Sequence, residues 1–464
     1  MSKKKWIVGL AMCAGIFLSV AAIHKTPNNT PQPVYITPSN QRTGDAQKGY
    51  DYLVNGDYIR SGLPFSFYKL LVGKDTSNQL GRTGKNAVIE YDFTMVKAPN
   101  GVDIVVPNCL QCHAQKFDGK LYIGLGNSMV DFSAAMQGDK MYLKAATGVM
   151  KLFSPAQYEA ASAAIRSLKT VYPYLQTEVQ GVNTADRLAA VLAAHRNPQT
   201  LEWSDTALLT IPDEVVPTDV PAWWMLKKKN AMFYNGFGRG DFGTFLMMSN
   251  LLTVKDTTEA QDVSTHFGDV LAYLRSIEPP KYPYTIDMKL AAKGKEVFTV
   301  TCSKCHGNYG SNNNYPNLLI PESIVQTDSM LYKANYQNPQ FVNWFNSSFY
   351  AKGEHAAKLQ SFDGYVAPPL DGIWITAPYL HNGSVPTLEA LLNSKLRPAY
   401  WQRDFKHTEY DYDKVGWKYA DKQSADSKKV YNTTLPGYGN YGHTFGDALS
   451  DDARKALIEY MKTL

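Results

Sequence analysis

The sequence predicts a mainly α-helical protein built from two units of one plan, with long loops and a small β-hairpin set into the first unit. Three observations carry this. A Cys-x-x-Cys-His motif occurs twice, at Cys109–His113 and at Cys302–His306. Two segments, Val270–Ile277 and Leu457–Leu464, match in character position by position, and each closes a stretch that holds one motif. Between the units runs Glu278-Pro-Pro-Lys-Tyr-Pro283, which cannot continue a helix because proline lacks the amide hydrogen and crowds the preceding turn. A chain of 464 residues has room for two domains with separate cores.

In chain order, Lys3, Lys4 and Lys5 precede an apolar run from Trp6 to Ile23, with small residues at Ser19-Val20-Ala21-Ala22. Residues 1–23 read as an export signal or an uncleaved N-terminal anchor, and the protein as periplasmic or secreted, with an inner-membrane tether if the run is kept. Cys13 follows Met12, a poor residue to precede a lipid-modified cysteine. Residues 24–43, rich in Pro, Asn and Thr, read as a disordered leader. Of 47 basic residues, Lys3, Lys4 and Lys5 go with the signal, leaving 44 against 42 acids, a balance that gives no support to nucleic-acid binding.

The first unit, residues 44–280, includes an alternating run, Ile89, Tyr91, Phe93 and Met95, then a turn at Asn100-Gly101 and a return through Val102, Ile104 and Val106. That is a β-hairpin delivering the chain to Cys109. Helices follow near Ala156–Leu168 and Thr184–His195. The closing helix places Val263, Phe267, Val270, Leu271 and Leu274 on one face. The second unit, residues 281–464, opens with a helix bearing Leu290, Gly294, Val297 and Phe298 on one side, Gly294 permitting a close helix crossing. Its closing helix starts at the N-cap Ser450, with Asp451 and Asp452 where the helix dipole favours acids.

Cys-x-x-Cys-His is the attachment pattern of c-type haem: two thiols bond one porphyrin edge, and the adjacent histidine reaches the iron. With Cys13 set aside, Cys109, Cys112, Cys302 and Cys305 account for every remaining cysteine. Two covalent haems, with His113 and His306 as iron ligands, are expected in place of two disulfides. A calcium ion is a further candidate, but no acidic loop specifies one.

An iron with one histidine takes either a second protein ligand, for electron transfer, or an open face, for chemistry with dioxygen or peroxide. Of the nine histidines, His195, His266, His355, His381, His407 and His443 remain once His24, His113 and His306 are set aside. His443, in Gly439-Asn-Tyr-Gly-His-Thr-Phe-Gly446, and His381, in Ala377-Pro-Tyr-Leu-His-Asn-Gly-Ser384, lie in loops that let backbone approach a porphyrin. The residues alone do not choose between them. In the first unit, Val220–Phe242 is the unusual segment. Trp223 and Trp224 are core residues or an electron relay, and Lys227–Lys229 read as a solvated face. Arg239 and Phe237 are candidates to set polarity and access over the first iron. Met247 and Met248 are candidate weak ligands, with a core role as the alternative.

The two motifs, followed by Pro368-Pro-Leu-Asp-Gly-Ile-Trp374 and Ala377-Pro-Tyr-Leu-His-Asn-Gly-Ser-Val-Pro-Thr-Leu388, resemble the bacterial di-haem cytochrome c peroxidase superfamily, which includes the enzyme maturing tryptophan tryptophylquinone. Pro221-Ala-Trp-Trp224 and Gly442-His-Thr-Phe-Gly446 look more like its rubber oxygenase branch. The resemblance implies two cytochrome c-like domains, a catalytic haem in the first and a six-coordinate electron-transfer haem in the second. It maps the distal ligand of the second haem onto His443 and an inter-haem tryptophan onto Trp223 or Trp224, leaving His381 as a pocket residue. This chain is shorter than a rubber oxygenase.

Three classes compete: a di-haem enzyme reducing peroxide or activating dioxygen, a simple electron carrier, and a gas sensor. The length of the first unit and the resemblance favour the enzyme, partnered by peroxide or dioxygen and by a small electron-donor protein or quinone-linked cytochrome. Peroxidase activity ranks before oxidative cleavage of an apolar substrate, which needs a channel as well as a pocket.

Overall fold

The computed structural model describes residues 31–133, 147–148 and 150–464; the expected export segment, with Cys13, and the start of the expected leader, with His24, lie outside them. Each unit is framed by an opening helix crossing a closing helix. In the second unit these are Met288–Thr301, capped by the Asp287 carboxylate, and Asp451–Met461, capped by Ser450. They cross at Gly294, where an added Cβ would stand 1.8 Å from the Ala456 carbonyl oxygen. Only glycine permits that approach, so a side chain here would force the helices apart.

The first unit repeats this crossing with an opening helix, Ala46–Asn55, that the sequence reading missed. It packs on Phe267–Ser276, and a Cβ on Gly49 would stand 1.9 Å from the Asp269 carbonyl oxygen. The missed signal is a sequence match: Ala46-Gln-Lys-Gly-Tyr-Asp-Tyr-Leu53 parallels Ala291-Ala-Lys-Gly-Lys-Glu-Val-Phe298. Leu53 and Phe298 are both fully buried. The closing segment of this unit is two helices, Thr257–Ser264 and Phe267–Ser276, whose Val263, Phe267, Val270, Leu271 and Leu274 are all buried.

The hairpin is present as Phe93–Lys97 paired antiparallel with Asp103–Pro107, Lys97 opposite Asp103 across the Asn100-Gly101 turn. Its core face differs from the expected one. Thr94 and Val96 turn to the main core, while Phe93 and Met95 join Tyr68, Ile89 and Val105 in a smaller cluster on the other side. Both faces are covered, so alternation of apolar residues did not mark the inner one. Strands are more numerous than a mainly α chain implies: short pieces form sheets of two or three strands among the helices.

Two expectations about segments change. Residues 34–43 are an ordered strap in place of a disordered leader. Val34–Tyr35 pairs with Leu318–Pro321, Ile36 is buried, and Arg42 forms a buried ion pair with Asp241 at 2.9 Å. The boundary near residue 280 separates the motifs but not the cores. Trp344, Phe345, Tyr350 and Leu359 pack into the first core, and Gly238–Gly240 pairs with Ala357–Leu359. Phe117, Leu125, Trp224 and Met225 pack into the second.

Candidate functional site

In the second unit the single turn Ser303–His306 follows Cys302, which brings both thiols and the imidazole to one end of the opening helix. His306 Nδ1–H donates to the Pro368 carbonyl at 2.8 Å, leaving Nε2 unprotonated and free to bind a metal. Cys302, Cys305 and His306 line a largely apolar cavity of about 400 Å³. His443 lies across it, its ring centre 6.1 Å from that of His306. A metal about 2 Å from each facing nitrogen sets two imidazole centres about 6 Å apart, so the pair fits one iron between them. Burial, more than any neighbouring charge, lowers both histidines, His443 to about 3, which keeps the lone pairs available.

His443 adopts φ +45°, an unfavourable backbone for a residue with a Cβ, and the surrounding loop is held from three sides. Asp328 Oδ2 accepts from the Gly437 and Gly439 amides. Asn382 Nδ2 donates to the carbonyls of the same two glycines. Arg397 donates to the carbonyls of Asn440, Gly442 and His443. His381 lines the same cavity but is taken up by Tyr365, stacked at 4.2 Å with Nε2 3.2 Å from the phenol oxygen. The residues alone gave the two histidine loops equal standing, and the resemblance pointed to His443; in space, one loop presents a ring opposite His306 and the other anchors it through Asn382.

In the first unit the turn Leu110–His113 carries the motif. The Cys109 amide donates to the Tyr58 hydroxyl and Asn183 Nδ2 to the Cys112 sulfur at 3.3 Å. Burial raises the Cys109 thiol to about 11 and lowers His113 to about 3, the Pro221 carbonyl opposing the latter. None of Cys109, Cys112, Cys302 and Cys305 is joined in a disulfide. The ring stacked on His113 is Trp223, at 4.5 Å and 18°.

The other histidines have different surroundings. His195 bonds the Ser204 carbonyl and stacks on Trp203, and His266 stacks on Tyr52. His355 and His407 are exposed. Met247 is buried in the first core and Met248 packs against it. Arg239, on Gly238–Gly240, is buried with its Nη1 unpartnered, and burial lowers its pKa. A desolvated cation with a spare donor fits a pocket built for an anionic or electron-rich group. Phe237 is buried beside it.

One strand of chain joins the two sites. Along Val220–Met225, Pro221 and Trp223 turn to His113, while Val220, Ala222 and Met225 line the cavity beside His306. The two tryptophans, equivalent in sequence, diverge: Trp223 belongs to the first core, and Trp224 to the second, its indole donating to the Asp371 carbonyl at 2.8 Å. The following lysines are not a solvated face. Lys227 pairs with Glu278 and Lys228 with Asp371, and burial lowers Lys229 to about 8. Among the described residues no group of three or more His, Cys, Asp or Glu is set to hold a separate metal ion, and no helix is long and apolar enough to cross a membrane.

Residues 364–402 match the family model described as RoxA-like, cytochrome c-like. The match spans Tyr365, Pro368, the His381-Asn382 loop and Arg397, the elements that orient His306 and hold the His443 loop. A cytochrome c-like domain implies haem c and an oxidoreductase type of protein. The chain is also similar to the uncharacterized protein y4iM of Sinorhizobium fredii (strain NBRC 101917 / NGR234), 26% identical over 313 residues, 58% of this chain and 69% of that protein. It is 42% identical to the uncharacterized protein y4iJ of the same organism over 123 residues, 24% of this chain and 20% of that protein.

Proposed function

We propose that the protein is an exported di-haem oxidoreductase of peroxidase type, with a reactive haem on Cys109, Cys112 and His113 and an electron-transfer haem on Cys302, Cys305, His306 and His443. The observation that carries this reading is an asymmetry: His306 faces a second imidazole across a cavity, whereas the ring against His113 is an indole lying alongside it. Haem held there by Cys109, Cys112 and His113 would supply redox chemistry with a small oxidant. The chain supplies the surroundings. His113 is held neutral by burial, and Arg239, buried with its Nη1 unpartnered, is the cationic donor this reading assigns to the oxidant. Trp223 lies against His113 on the segment that also lines the second cavity, which makes it the better placed of the two tryptophans to couple the sites.

The RoxA-like match favours a second reading, activation of dioxygen for cleavage of an apolar substrate. Optical spectra distinguish these from a simple carrier. Peroxide added to the oxidised protein, or carbon monoxide to the reduced protein, should shift one of two haem components, and Trp223→Phe should slow electron exchange between them with both spectra intact. If neither reagent perturbs either component in any redox state, the protein is an electron carrier.

A further inference from the structure

A second cavity, of about 580 Å³, opens at the surface away from both motifs, lined by Tyr282, Tyr284, Tyr410 and Tyr412 with Asp411 and Asp413. Its size suits a small molecule. Its lysines are engaged: Lys462 pairs with Glu459 and lies over the Tyr282 ring, and Lys418 pairs with Glu409. Asp411 and Asp413 therefore set the charge at the mouth, which favours an amine or cation.

The rings continue inward in short steps. Exposed Tyr284 meets Tyr412 edge-to-face at 4.7 Å. Tyr412 lies 6.4 Å and Tyr282 5.6 Å from the buried Trp374. Trp374 follows Ile373, which lines the cavity beside His306. Tyrosine gives up an electron readily only if its phenol proton has somewhere to go, whereas an indole can hold the resulting charge without losing its proton. Tyr410 donates to the Trp374 carbonyl, which is no base. Tyr412 donates to the Asp118 carboxylate, which is. Asp118 stands at the turn of the hairpin that starts directly after His113, Ala114–Phe117 paired with Lys120–Ile123.

We propose that this pocket is a second substrate site, which takes a small aromatic amine as a one-electron donor, and that Tyr412 and Trp374 carry its electron inward while Asp118 takes and returns the Tyr412 proton. The inference rests on the peroxidase reading. Each amine loses one electron and leaves as its radical cation. Two amines supply the two electrons that, with two protons, convert one hydrogen peroxide to two waters. Burial, and then the Asp118 carboxylate, raise the Tyr412 pKa, so the phenol carries its proton at rest.

The test is freeze-quench electron paramagnetic resonance of the full haem-loaded protein mixed with peroxide and no donor. A tyrosyl radical is expected, lost in Tyr412→Phe and diminished in Asp118→Asn, with the peroxide-induced optical change of the haems retained in both. Asp118→Asn keeps every ring, so it reports even if the phenylalanine variant does not fold. N,N,N′,N′-tetramethyl-p-phenylenediamine should quench the radical faster than an anionic dye, and Asp413→Asn should narrow that difference. A radical that persists in Tyr412→Phe, or haems that respond to peroxide with no tyrosyl radical, overturns the relay. If peroxide leaves the haems unchanged, the peroxidase reading fails by itself. Flash-generated ruthenium(III) tris-bipyridine then serves as oxidant, and absence of an Asp118-dependent radical at Tyr412 overturns the inference.

Discussion

The two units share a frame and differ in how much chain they place around it. In both, a glycine lets the opening helix touch backbone of the closing helix, Gly49 against Asp269 and Gly294 against Ala456. In both, a proline carbonyl acts on the motif histidine, hydrogen-bonded at His306 by Pro368 and short of a hydrogen bond at His113 by Pro221. The second unit runs from its crossing into its motif within one helix. The first inserts the hairpin and its flanking turns before Cys109, so its motif rests on a small sheet. The second adds a clamped loop that returns a histidine to face His306. On the proposed reading, the common frame sets where each porphyrin would hang, and the additions would decide whether its iron is closed or open.

The largest test of this comparison removes one haem at a time. Intact mass should exceed the processed polypeptide by two haems, and by one after Cys109→Ala with Cys112→Ala or Cys302→Ala with Cys305→Ala. Only the first pair should abolish the response to peroxide. A mass equal to that of the bare polypeptide would break the comparison at its root.

A smaller effect separates the clamp from the ligand. His443→Ala should open the second iron to added ligands and convert one haem from low to high spin. Asn382→Ala should do so only in part, because Asp328 and Arg397 still hold the loop. Its cost to stability should be about 1–3 kcal/mol, the usual penalty for leaving buried carbonyls unpaired. Magnetic circular dichroism reads the spin state and denaturant melts read the stability.

The motifs, the two helices framing the second motif, the closing helix of the first unit and the hairpin were legible because each rests on local chemistry: a fixed spacing, a helical period, a turn. The opening helix at Ala46–Asn55 was overlooked because it is separated from its motif by the insertion and lies beside a polar leader. The divergence of Trp223 and Trp224 was not legible, since neighbouring residues on one short turn face opposite cores only once those cores exist. The same holds for Asn382 and Arg397, whose partners are dozens of residues away. The strap at residues 34–43 was misread for a related reason: Arg42 looks like any polar leader residue until Asp241 is placed against it.

The smallest effect concerns His381, which shares the second cavity without facing His306. Burial sets its pKa at about 3 in the folded chain, against about 6.5 when unfolded. Between those values the unfolded chain binds the proton and the folded chain does not, so this histidine makes stability fall as pH drops from about 6.5 towards 3, by up to about 1.4 kcal/mol per pH unit. Asp219, in the same cavity, acts in the opposite sense. Its carboxyl is raised to about 7 by burial, so its contribution is held at low pH and lost as pH rises from about 4 to 7. The two partly cancel in mild acid while both are present. His381→Gln should leave the low-spin spectrum unchanged and remove the compensating contribution, so that stability falls more steeply as pH rises from about 4 to 7, measured as the denaturant midpoint over that range. A spectral change without that steepening would mean that His381, not His443, faces His306 in the loaded protein, and the closed unit would then owe its closure to the other loop.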